Sequence, residues 1–146
     1  LFLVIYINFN VNYYHSKLKM NLRLTNRLVD IAQGIEIEKQ INRRTRHYAF
    51  ILNKSKIISI GRNKLKSHPQ VLKYKYHENA TIHAELSAII KSGSISHKNN
   101  KLITFRFDRS GQLNNGKPCK YCQQLLSSVG FKEVWYSNSK GKLVQL

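Results

Sequence analysis

The feature that most limits how this chain can fold is its cysteine usage. There are two cysteines, Cys119 and Cys122, and only Lys120 and Tyr121 separate them. A bridge between such near neighbours cannot brace a chain of 146 residues, so the fold must rest on its own apolar core. With 42% hydrophobic and 10% aromatic residues, the chain can supply one domain's worth of core. The close pair reads as a metal or redox site and favours a reducing compartment, the cytoplasm.

Apolar periodicity places the elements around that pair. Leu24, Leu28, Ile31 and Ile35 form one stripe of an amphipathic helix over residues 22–41. Arg43, Arg44 and Arg46 follow it. The runs His47–Asn53 and Ile57–Ile60, split by Lys54-Ser55-Lys56, predict a β-hairpin buried on both faces. Residues 61–81 read as a long basic loop in which Pro69 discourages helix. A helix from Ile82 to Lys91, a strand over Leu102–Asp108 and a polar loop over Arg109–Lys117 come next. A helix from Cys119 to Gly130, a strand over Lys132–Ser137 and a short strand from Leu143 complete the order α-β-β-α-β-α-β-β. Strands and helices interleaved in this way predict an α/β fold, a three-layer α/β/α sandwich on a five-stranded mixed sheet. About five residues join the last two strands, too few for a parallel crossover, so they should form an antiparallel hairpin.

Two short patterns carry chemistry, and each opens a predicted helix: His83-Ala84-Glu85 and Pro118-Cys119-Lys120-Tyr121-Cys122. Cysteines at i and i+3 on a first helical turn point the same way and can reach one ion. One imidazole and two thiolates suit zinc, and a catalytic zinc keeps a position for water. Helix N-termini add positive potential that favours thiolates. Glu85, two residues after His83, can stand beside the metal without ligating it. Chance produces a Pro-Cys-x-x-Cys string in roughly one chain in a thousand of this length. Two other readings use the same residues: a thioredoxin-like redox pair, or a structural zinc completed by His68, His77 or His97.

Together, His83-x-Glu85 and Pro118-Cys119-x-x-Cys122 resemble the signature of the cytidine/deoxycytidylate deaminase superfamily. The resemblance spans about residues 47–146. It implies one zinc per chain on His83, Cys119 and Cys122, with Glu85 as proton carrier. Gln124 falls where free-nucleoside deaminases carry a glutamine. Gly61-Arg62-Asn63 resembles the family's Gly-x-Asn turn, which implies that Asn63 binds the substrate sugar. The backbone N–H groups of Ala84 and Cys119 become donors to the bound base by the same analogy. A short terminal hairpin is similar to that of free-cytidine and some toxin-type deaminases, and the family often assembles as homo-oligomers.

Charge bears on the substrate. The chain has 25 Lys and Arg against 7 acids, a formal charge of +18, which implies attraction to phosphorylated partners. Arg62, Lys64, Lys66, Lys73 and Lys75 on one loop, and Arg109 and Lys117 on another, are expected to flank the pocket mouth. The leading expectation is deamination of cytosine in a free nucleoside or nucleotide. A deaminase of single-stranded DNA or RNA is the alternative, with Tyr74, Tyr76 or Tyr121 stacking on bases. A catalytically dead, zinc-stabilised nucleic-acid-binding module is a third reading, which leaves Glu85 without a purpose.

No membrane partner is expected. The opening Leu1–Ile7 is too short to span a bilayer. Met20 is the sole methionine, so residues 1–19 are expected to be a dispensable extension and residues 20–146 the deaminase domain.

Overall fold

The computed structural model of the chain describes residues 20–38, 46–64 and 81–146. The expectations for residues 1–19, and for Arg43, Arg44, Lys66, His68, Pro69, Lys73, Tyr74, Lys75, Tyr76 and His77, lie outside the described residues.

Helix α1 spans Leu22–Glu38, strand β1 Arg46–Asn53, strand β2 Lys56–Arg62 and helix α2 Ala84–Ser92. Strand β3 spans Asn100–Phe107, strand β4 Leu113–Asn114, helix α3 Lys120–Val129, strand β5 Glu133–Ser137 and strand β6 Leu143–Gln145. The sheet runs β2-β1-β3-β5-β6, with the short β4 paired to the end of β3. Only β3 and β5 are parallel, joined through α3 as a parallel pair requires. β1 pairs antiparallel with β2 and β3, and β5 pairs antiparallel with β6.

Alternation along the strands builds an apolar cluster on each face of this mixed sheet. Tyr48, Phe50 and Leu52 of β1 join Ile103, Phe105 and Phe107 of β3 against Leu28 and Ala32 of α1. Leu24, Ile31 and Ile35 pack on the same cluster, so the apolar stripe of α1 is its contact face. On the other face, Ala49, Ile51 and Leu102 meet Leu86 and Ile89 of α2 and Leu125 and Leu126 of α3.

Two features depart from the sequence reading. The hairpin is buried on both faces in β1 alone, because β2 lies at the sheet edge and keeps most of its residues half-exposed. The stretch after β3 is a turn that returns as the sixth strand, β4, where five strands are expected. Asp108 causes that turn. Its carboxylate accepts the backbone N–H of Ser110 and Gln112 and the Ser110 hydroxyl, at 2.7–3.0 Å. A two-residue strand held by one side chain has no periodicity to read.

Candidate active site

Three local devices bring distant residues to one end of the sheet. Gly61 lets α2 lie directly on β2, since a Cβ there would collide with the backbone of Ala84 and Ala88. Beyond β2, Lys64 and Ile82 exchange two backbone hydrogen bonds of 2.9 and 3.1 Å, which sets His83 beside the strand end. Gly116 lies against the backbone of Phe105 and Arg106, and its N–H bonds the Ser137 carbonyl at 2.7 Å. That contact carries the chain into Pro118 and α3.

His83 and Cys119 are the N-cap residues of α2 and α3, both extended, and neither uses its side chain as a cap. The side chains turn toward each other instead. His83 Nδ1 lies 3.6 Å from Cys119 Sγ and 3.5 Å from Cys122 Sγ, and the three ligand atoms fall within 4.8 Å of one another. Zinc bound at about 2.3 Å to sulfur and 2.0–2.1 Å to nitrogen in a tetrahedron separates those atoms by about 3.6 Å. The residues present therefore fit zinc. The fourth-ligand reading gains nothing from His97, which is buried elsewhere, between Ser92 Oγ and Asn100 and stacked on Phe131.

Glu85 sits on the first turn of α2, 3% exposed, with its Oε2 accepting the Cys122 thiol at 3.6 Å. Burial pushes its carboxyl up to about 7. The Cys122 thiol is likewise held far above its ordinary value, chiefly by its hydrogen bond with Cys119 and by burial. A divalent cation at the three ligand atoms reverses that tendency and takes the sulfurs as thiolates.

A cavity of about 340 Å³ opens beside this group. Asn63, Lys64, Lys117 and Cys119 of the expected substrate contacts line it, with His83 and Glu85. The Asn63 Oδ1 accepts the His47 backbone N–H at 3.1 Å, which ties the end of β2 to the start of β1. Ala84, the first residue of α2, is fully buried behind His83. Arg62 lies apart, in a smaller cavity with Ile35, Tyr48 and Lys91. Arg109 is exposed at the β3–β4 turn and does not line the wall. Tyr121 is exposed on α3, and Gln124 points to solvent one turn further on.

Four wall residues were not singled out as site residues from the sequence: Thr81, Ile82 and the two ionisable ones, His47 and Arg106. Burial holds the His47 imidazole down at about 4, with the Arg106 guanidinium and His83 adding to the effect. The available signal was Arg106 itself, a charge inside the otherwise apolar and polar-neutral run Leu102–Phe107.

An α/β fold that sets a His/Cys/Cys group and a neighbouring buried carboxylate at two helix N-termini defines the nucleobase deaminase class. The chain belongs to the cytidine and deoxycytidylate deaminase family, whose zinc-binding region matches residues 24–138. Among solved structures it is similar to the dCMP deaminase from the cyanophage S-TIM5 in apo form. The identity is 19%, the TM-score 0.52, and the match covers 82% of this chain and 86% of that one. The structure of the S-TIM5 enzyme in complex with dCMP and dUMP matches at 19% identity and a TM-score of 0.54. That match covers 82% of this chain and 84% of the other. A search of curated proteins finds no significant match. No helix among the described residues is long and apolar enough to cross a membrane.

Proposed function

We propose that this protein is a zinc-dependent hydrolase that converts cytosine to uracil and ammonia in a free nucleoside or nucleotide. The observation that carries the reading is the convergence of His83 Nδ1, Cys119 Sγ and Cys122 Sγ at tetrahedral spacing beside the buried Glu85. One zinc per chain on those three residues would supply Lewis acidity and a bound water acidified toward neutral pH.

The proton work falls to Glu85. Its carboxylate accepts a proton from the attacking water as that oxygen bonds to the ring carbon bearing the amino group. It passes that proton to the ring nitrogen, then takes the second proton from the added hydroxyl as the carbonyl forms and delivers it to the amino group, which departs as ammonia. A carboxyl held near 7 can change state in both directions at neutral pH, as a group that is base and then acid must. Asn63 positions the sugar, with its Oδ1 anchored on His47. The N–H groups of Ala84 and Cys119, at the starts of two helices, orient the base. The S-TIM5 relative's complex with dCMP and dUMP supports a substrate of nucleotide size.

We read residues 20–146 as a single catalytic domain, a three-layer sandwich closed by the β5–β6 hairpin, working in the cytoplasm as a homo-oligomer. The test is ammonia release by the zinc-loaded full chain with cytidine, deoxycytidine, dCMP, single-stranded DNA and tRNA. Release is expected from the small substrates. Bound zinc with no release from any of them would sink the reading.

A further inference from the structure

The floor of the cavity carries groups that the proposed reaction does not use. His47 on β1 and Arg106 on β3 are register partners, so both side chains leave the sheet on one face. It is the face of Ala49 and Leu102, covered by α2 and α3. His47 Nε2 and Arg106 Nε are both buried there without a hydrogen-bond partner. Thr104 Oγ1, two residues along β3 on the same face, is a third such atom. Thr104 lies outside the cavity lining. Buried polar atoms are almost always paired, so the two orphans that do line it, on His47 and Arg106, mark a place where ligand atoms belong.

Charge sharpens the chemistry of that ligand. Lys64, Arg106 and Lys117 line the cavity, and Glu85 is the one carboxylate among the lining residues. Among the described residues no acid forms an ion pair with Arg106. A half-buried guanidinium with nothing opposite it is costly, and an anion relieves that cost. Guanidinium and phosphate match in charge and in hydrogen-bond geometry. A neutral imidazole can donate from Nε2 beside it in the tautomer that carries its proton there.

We propose that Arg106 and His47 are the specificity-determining pair of this site, binding phosphate oxygens of a nucleoside 5′-monophosphate and selecting it over the neutral nucleoside. The inference rests on the deaminase reading above. A nucleoside without the phosphate leaves the pair desolvated and unanswered, which is how a polar site rejects an analogue lacking one group.

Calorimetry on the zinc-loaded full chain tests this without turnover, using dUMP, deoxyuridine and a short single-stranded oligodeoxynucleotide as probes. The wild type should bind dUMP at least 100-fold more tightly than deoxyuridine and more tightly than the oligonucleotide. Arg106→Gln should cut the dUMP-to-deoxyuridine ratio at least tenfold, and Arg106→Lys should restore part of it. Equal affinity of the wild type for dUMP and deoxyuridine overturns the proposal whether or not any variant folds. A stronger preference for the oligonucleotide overturns it too, as does an Arg106→Gln variant that weakens both small ligands alike. Failure to release ammonia would sink the reaction and leave this binding test standing.

Discussion

Arg46 and Arg106 stand at the same end of the sheet on adjacent strands, and they face opposite ways. Arg46 points toward α1, where its guanidinium bonds Glu36 at 2.7 Å and the Asp108 carbonyl, while Tyr48 donates to the same Glu36 carboxylate at 3.3 Å. Arg106 points toward α2 and α3 and has a cavity in place of an acid. One face is therefore a structural joint that pins α1 to the sheet, its guanidinium charge met by Glu36 although Arg46 Nε itself is buried without a partner. The other leaves polar atoms unanswered beside the His/Cys/Cys group and Glu85. A core settles its charges internally; a binding site leaves them for the ligand. The difference separates the part of the sheet that holds the fold from the part that serves chemistry.

The sharpest way to break this contrast is at Glu85. Glu85→Gln should keep zinc, measured by metal analysis, and lose at least about 10³-fold in kcat, the scale of general acid–base catalysis. Retained turnover would remove Glu85 from the chemistry and the site face from its role. On the opposite face, Glu36→Ala strands the Arg46 charge and should cost about 3–5 kcal/mol of folding stability in urea titrations. A loss below about 1 kcal/mol would mean that the joint is ornamental.

A pH experiment probes the site face without its metal. Glu85 holds its proton more tightly when folded, at about 7, than at its ordinary value of 4.5. The folded state thus binds the extra proton, so stability is highest below pH 4.5 and falls as pH rises toward 7. Chelated wild type should lose on the order of 3 kcal/mol across that window relative to Glu85→Gln, whose difference isolates this carboxyl. The smallest effect is expected at Arg106. Arg106→Gln removes a charge that no described acid balances, so stability should stay within about 1 kcal/mol of wild type or rise. A loss as large as that of Glu36→Ala would make Arg106 structural and erase the contrast.

Much of the site was legible because its chemistry is local in sequence. His83 and Glu85 share a helix start, Cys119 and Cys122 share a helical turn, and spacing alone aims each pair one way. The apolar stripe of α1 and the interleaved strands made the α/β class readable for the same reason, since periodicity is a short-range signal. Other features were not local. Arg62 ends β2 and Lys64 lies two residues on, yet only Lys64 reaches the cavity beside the His/Cys/Cys group, while Arg62 lines just the smaller one. Arg109 looked like a mouth residue until Asp108 folded its loop into a turn.

By itself, then, the sequence determined the candidate metal ligands, the candidate proton carrier and the class of fold, because ligand type and helical spacing leave few other uses for them. Only the tertiary structure decided that the Cys119–Cys122 pair meets His83 with Glu85 alongside, and that His47 and Arg106 form the cavity floor. Those two residues are far apart in the chain and become neighbours through the β1–β3 register. A strand's face and partner are set by long-range pairing, which no local pattern encodes.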